Sequence, residues 1–339
     1  MTRGRAVAVL TAAACLFGTP AALAAGRGGA GSQETETSGE SFGQELLSRV
    51  AFATEGAPSK ARHTGSLTPT GVGWKAPACW YEPYWKAKDF KTFMEAKWSI
   101  HKSAGGNPKD LADVKARYKS GHPYKDFNAG KNGKGMWWVA VKNKDMKDDP
   151  AAGACTRPPF WADKDKPPKV PQAIDPKTLA ALAYQRTEVP DTKVELKPEV
   201  KSMVKLPTWV WLDKGTFQEV KVRAELPGTG LWAETTAKPI SLHLEPGTED
   251  AQTYPASGEC TFNKDGSIGT PYVKGSAQQE PPCGITYLRA TEGQPHQLTA
   301  SVTWEISWRG TGDAKGTMPD GTFETTQDMN VQEVQSVNR

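Results

Sequence analysis

The clearest pattern in the chain lies near its C-terminal end. Leu298, Ala300, Val302, Trp304, Ile306 and Trp308 alternate with Thr299, Ser301, Thr303, Glu305 and Ser307. A period of two held this long predicts a strand with one buried and one solvated face. Val220, Val222, Ala224 and Leu226 alternate in the same way. So do Ile240, Leu242 and Leu244, with Ser241 and His243 outward. Met329 and Val331 predict a last strand. Gly and Pro turns at short spacing between such segments predict a β-sandwich over 206–339.

Upstream the period lengthens. Phe90, Phe93, Met94 and Trp98 fall on one side of a helix predicted over 89–102. A second helix is marked by Asn107 as cap, Pro108 in the first turn, a Leu111, Val114, Tyr118 stripe, and Gly121 as its stop. Met136 to Val141 reads as a short strand. Together these predict a small α+β domain over 74–165. A Pro-rich connector over 166–205 follows, with one helix starting at Asp175-Pro176 and running to about Arg186.

The N-terminal stretches look different. Arg3 and Arg5 precede an apolar run over 6–18, Pro20 breaks it, and Ala22-Leu23-Ala24 supplies small residues for cleavage. Residues 1–24 are therefore expected to be a signal peptide cut after Ala24. Cys15 lies inside the apolar run rather than after it, which argues against lipidation. Residues 25–73, rich in Gly, Ser, Thr and Glu, are expected to be a disordered tether. Within them Ser41 and Gln44 form a capping box for a short helix over 41–54, with Phe42, Leu46, Leu47 and Val50 on one side.

Composition narrows the classes. The 339 residues include 12 Trp, 10 Phe and 8 Tyr, too many large rings for a wholly disordered chain. No apolar run reaches about 18 residues, so no transmembrane span is expected in the mature chain. With Cys15 removed, Cys79, Cys155, Cys260 and Cys283 remain. An even number of cysteines in an exported protein reads as disulfides. Of the three possible pairings, Cys79–Cys155 with Cys260–Cys283 is favoured, because each bond then stays within one expected domain. No Cys-x-x-Cys pair and no His at ligand spacing occur, so no metal is expected. The charge divides sharply. Residues 75–165 hold 18 Lys/Arg against 11 Asp/Glu, and 206–339 hold 10 against 17. Charges of opposite sign could also favour docking of the two halves on each other.

Catalytic patterns are weak. The Gly130-Lys131-Asn132-Gly133-Lys134-Gly135 loop lacks the Gly-Lys-Ser/Thr ending of a phosphate cradle. A formal Gly-x-Gly-x-x-Gly at Gly26, Gly28 and Gly31 and a Gly-x-Ser-x-Gly at Gly39, Ser41 and Gly43 both fall in the expected tether, without a preceding strand. The five His residues are scattered. Leu206-Pro207-Thr208-Trp209 lacks the Gly needed for sortase anchoring. Glu82 stands among Trp80, Tyr81, Tyr84 and Trp85, where its pKa would rise, and is the best candidate acid for a wall-acting hydrolase. A second carboxylate within about 10 Å across a cleft would favour that activity.

Binding is the stronger lead. Lys86, Lys88, Lys91, Lys97 and Lys102 interleave with Tyr84, Trp85, Phe90 and Trp98, and Trp80 lies close by in sequence. Lysines attract polyanions such as wall teichoic acids, and exposed rings stack on sugars. Export argues against a nucleic-acid partner. The alternative account is a solvated lysine face over an ordinary aromatic core. In Trp209-Val210-Trp211, alternation places both rings on one face, expected to cover the junction between the domains.

The second half also resembles a known group. Ala181-Leu182-Ala183-Tyr184-Gln185, then Val189-Pro190, Pro198 and Leu206-Pro207-Thr208-Trp209-Val210-Trp211-Leu212 are similar to elements shared by a set of exported actinobacterial proteins. Cys283-Gly284-Ile285-Thr286-Tyr287 and the closing stretch from Val331 to Asn338 fit the same set. The resemblance covers about 175–339. It implies export and a sandwich of the polycystic-kidney-disease (PKD) or immunoglobulin type, and it implies no activity. His243-Leu244-Glu245-Pro246-Gly247 replaces the Trp-Asp-Phe-Gly-Asp-Gly-like turn common in that set. The expectation is therefore a secreted, non-catalytic envelope protein without cofactor, a binding or structural module. It would bind an anionic wall polymer or an envelope protein through Trp80, Trp85, Lys86, Lys88, Lys91, Lys97 and Trp98. The alternative is a wall-acting hydrolase or its carbohydrate-binding accessory.

Overall fold

The alternation at 298–306 builds the interior of the fold. Leu298, Ala300, Val302, Trp304 and Ile306 are fully buried, and their strand, His296–Gly310, lies inside a nine-stranded sheet. The computed structural model describes residues 32–34, 38–41, 44–55, 64–71, 73–105, 107–164, 166, 168–199, 201–212 and 217–333. The expected signal peptide and its cleavage position after Ala24 lie outside them. The main path of the sheet runs Ser32–Glu34, Ala51–Glu55, Val220–Leu226, Leu231–Glu245, His296–Gly310, Ala314–Gln332 and Lys201–Met203. Lys201–Met203 pairs in parallel, and the other strands of the path pair antiparallel.

A second sheet is ordered Glu195–Lys197, Thr208–Leu212, Gly284–Tyr287, Ala251–Tyr254, with Ile268–Gly269 added on Thr208–Leu212. Its Leu196, Val210, Leu212, Ile268, Ile285 and Tyr287 share one apolar cluster with Leu242, Leu298 and Val302 of the first sheet. Two antiparallel sheets closed on one core make the C-terminal part a β-sandwich. The Cys260–Cys283 disulfide joins the sheets directly. Cys260 sits in Glu259–Thr261, on the first sheet, and Cys283 immediately precedes Gly284–Tyr287 on the second.

One alternating pattern is broken, and a bulge explains it. Ala233, Thr235 and Ala237 face inward at odd positions, but Leu242 and Leu244 do so at even ones. The register of Leu231–Glu245 shifts between Pro239 and Ser241. The extra residue reverses the side-chain phase. Ile240, expected inside, is consequently 39% exposed.

Residues 79–163 form the α+β part. Cys79–Trp85, Gly135–Lys142 and Phe160–Asp163 make a three-stranded antiparallel sheet. Helix α1 spans Ala87–Ser103 and α2 spans Pro108–Tyr118. The Asn107 side chain caps α2 by accepting from the Lys109 N–H at 3.0 Å, as its position in the sequence predicts. Phe90, Met94, Trp98, Tyr118, Phe127 and Trp137 form the core here. Phe90 stacks on Trp137 with centroids 4.3 Å apart. Cys79–Cys155 pins the first strand of this sheet.

Helix α3, Pro176–Gln185, follows its predicted cap, with Asp175 accepting from the Thr178 N–H at 2.6 Å. Leu179 to Tyr184 are all buried, and Thr235 of the large sheet donates to the Ala180 carbonyl at 2.9 Å.

Three expectations need correction. Residues 25–73 are not a tether throughout. Ala51–Glu55 pairs antiparallel with Val220–Leu226, and Phe52 is only 4% exposed. The helix expected over 41–54 is replaced where the chain is described, since 44–47 and 51–55 are strand. Burial of Val50 and Phe52, two residues apart, fits a strand edge and outweighs the capping signal at Ser41. Finally, the α+β part and the sandwich share their core. Trp80, Val139 and Val141 belong to the cluster that holds Leu242 and Val302, and the described chain from Ser32 onward is one compact unit.

Candidate binding surface

The lysine-aromatic surface is built by α1 and the strand that leads into it. Ala87, Phe90, Met94 and Trp98 are the buried stripe of α1. Lys86 and Lys88 are exposed at its start. Lys91 reaches Asp126 at 2.9 Å, and that bond holds its ammonium above the usual lysine value. Trp85, half-buried at the end of Cys79–Trp85, stacks on Phe93 with centroids 4.5 Å apart. Lys97 lies over the other partner of that stack, 5.7 Å from the Phe93 centroid. Burial against the rings lowers its pKa. The structure therefore brings Trp85, Phe93 and Lys97 into one patch with Lys86, the chain neighbour of Trp85, whereas Lys88 lies about 140° round the helix from Phe93.

Two expected members do not belong to this surface. Trp80 is 1% exposed and its indole N–H donates to Glu82 at 3.0 Å. Trp98 is also buried, packed on Phe127 at 5.2 Å with Lys115 over its ring. Trp80 sits in a strand whose residues 79–83 are all buried, and Trp98 lies on the buried stripe of α1, where it borders a cavity of ≈ 240 Å³ with Leu111 and Val114. Trp85 is the tryptophan of the set that remains partly open.

Glu82 has a different role from that of an exposed acid. It is fully buried. Oε2 accepts from Ser48 Oγ at 2.8 Å and from Trp80 Nε1 at 3.0 Å, and Oε1 accepts from the Arg49 N–H at 3.1 Å. The Arg49 guanidinium donates to the Pro83 carbonyl and lies 5.1 Å from the Tyr84 centroid. Desolvation raises the Glu82 pKa, although every donor around it pulls the other way. The arrangement clasps residues 48–50 onto the strand Cys79–Trp85. A general acid must reach its substrate, and this carboxyl is enclosed by protein donors. Ser48 and Arg49 were hidden from sequence reasoning because they fall in a stretch of tether-like composition. The spacing of Val50 and Phe52 is the signal that would have found them.

No metal-holding group of His, Cys, Asp and Glu occurs among the described residues. No helix among them is long and apolar enough to cross a membrane. No protein-family model, no curated protein and no solved structure matches the chain.

Proposed function

We propose that this is a secreted envelope protein that binds an anionic wall polymer and does no chemistry on it. The observation that carries the reading is the patch on α1. Exposed Lys86 adjoins the Trp85–Phe93 stack with Lys97 over it, and exposed Lys88 adds charge on the neighbouring side of the helix start. Such a surface offers cations for phosphates and a ring face for the sugars or polyols between them. The surrounding segment is rich in lysine, which would draw a polyanion over a wider area. The two disulfides accord with an oxidising compartment. On this reading the chain belongs with the exported actinobacterial set it resembles, and its sandwich is of the PKD or immunoglobulin type.

The test is co-sedimentation of the purified, disulfide-bonded protein with isolated cell walls, with and without teichoic acid, across a salt series. Pelleting that weakens with salt and disappears with teichoic acid is the expected result. Pelleting unaffected by either treatment, or none at all, overturns the reading and turns attention to a protein partner.

A further inference from the structure

A groove of ≈ 920 Å³ runs past the free edge of the smaller sheet, where that sheet meets the large one. The volume lies at the upper end of the usual range for ligand sites, about 300–1,000 Å³. Glu195 and Lys197 of the edge strand line it, with Trp211, Tyr272, Gln327 and Asp328.

The rings are set by the strand pattern. Val210 and Leu212 are buried in the sandwich core, so Trp209 and Trp211 point to the opposite face. Trp209 is covered and holds Tyr272 edge-on, with centroids 6.0 Å apart. Trp211 stays half-exposed, directly across the ladder from Glu195. Trp211 thus opens onto the groove instead of covering a domain junction.

The other wall is polar where a sandwich is normally apolar. Gln327 pairs with buried Leu298, and Thr325 with buried Ala300, so both take the inward phase of their strand. Two residues further on, Met329 and Val331 fill the same phase with apolar side chains. Polar groups therefore stand inside the mouth of the sandwich, where Thr325 Oγ1 accepts from the Thr192 N–H at 3.2 Å and Gln327 Nε2 donates to the Val194 carbonyl at 3.5 Å.

Charge and ring faces narrow the ligand class. Lys193 and Lys197 are offset by Glu195, Glu199 and Asp328 around the rim, so a strongly charged ligand of either sign meets repulsion. A peptide adding as a strand needs free backbone groups. Glu195–Lys197 is paired on one side only, so an extended peptide is the competing occupant; just before it, Thr192 Oγ1 donates to the Phe323 carbonyl at 2.9 Å and Gln327 Nε2 to the Val194 carbonyl at 3.5 Å. Two ring faces with hydroxyl, amide and carboxylate groups beside them match a pyranose, whose C–H face is apolar and whose hydroxyls ring its edge.

We propose that this groove binds a neutral oligosaccharide, with Trp211 and Tyr272 as stacking faces and Glu195 and Gln327 bonding to hydroxyls. The site is separate from the lysine patch on α1 and stands or falls without it. The experiment is calorimetric titration of the full disulfide-bonded chain with two probes, cellohexaose and the β-1,4-linked N-acetylglucosamine hexamer. Saturation-transfer NMR serves as the second readout. At least one hexamer should bind with little dependence on salt. W211A and Y272A should each weaken it by about tenfold or more, while W211F keeps most of the affinity. A charge reversal at Lys86 and Lys88 should leave it unchanged. Absence of binding by both hexamers at millimolar concentration overturns the proposal. So does W211A binding as tightly as the wild type, or displacement of the sugar by an extended peptide.

Discussion

Replacing Glu82 with Gln tests the clasp with the least change of shape. Gln exchanges one acceptor oxygen for an NH2 group. Ser48 and Trp80 both donate to Oε2 and the Arg49 N–H donates to Oε1. With the amide oxygen in the Oε2 position, the Arg49 N–H faces another donor; turned the other way, two donors do. One lost bond to a charged acceptor is worth about 1.5–3 kcal/mol. Relief from burying a charge offsets part of this, leaving a net loss of about 1–2 kcal/mol. The pH dependence is the sharper readout. Burial raises the Glu82 pKa above its ordinary 4.5, so the folded protein keeps this proton to a higher pH than the unfolded chain does. The associated stability is fully present below the unfolded value and is lost as pH rises through the folded one. Gln does not titrate, so the gap between wild type and E82Q should be widest in acid and narrow with rising pH. Contributions from other groups cancel in the difference. Urea unfolding with the disulfides intact, followed by near-ultraviolet circular dichroism at several pH values, measures it. With a slope of about 3 kcal/mol/M, the midpoint should drop by about 0.3–0.7 M above the folded pKa, where the carboxylate is charged, and by more in acid. A gap that is flat, or that widens with pH, refutes the reasoning and means that the donors outweigh desolvation.

Further outcomes follow from other parts of the molecule. Phe52→Ala should cost about 3–5 kcal/mol in chemical unfolding, whereas a residue in a tether would cost nothing. Replacing both Cys260 and Cys283 with Ser should lower stability by about 3.4 kcal/mol from loop entropy over their separation of 23, and the same change at Cys79 and Cys155, separated by 76, by about 4.5; thermal melting with and without reductant ranks them. Lys86→Glu with Lys88→Glu should abolish salt-sensitive pelleting with cell walls while leaving the melting temperature unchanged, because both side chains are exposed.

Much of the fold was legible where one physical signal dominated. Strict alternation found the strands of the large sheet, and Asn107-Pro108 and Asp175-Pro176 marked two helix starts through their caps. The disulfide pairing followed from keeping each bond within one expected domain. What stayed hidden depends on partners far away in sequence. Ala51–Glu55 has little strand character of its own and becomes a strand because Val220–Leu226 offers it an edge. Ile240 looked inward because a bulge is a property of the pairing, not of either strand alone. At the lysine patch, sequence order placed Trp80 and Trp98 beside the lysines, but their burial is set by the strand and helix that carry them. The groove at Trp211 needs residues from four separate stretches, and nothing in their spacing announces it.

The pairing of Ala51–Glu55 with Val220–Leu226 also sets an order of events during biosynthesis. A ribosome delivers the earlier strand well over a hundred residues before its partner exists. Until then Val50 and Phe52 have no sheet to cover them. The large sheet therefore cannot close progressively from the front of the chain. It closes late, around a segment made early, and such long-range pairing makes for slow folding. During that interval Val50 and Phe52 are an uncovered apolar pair on the unfinished chain.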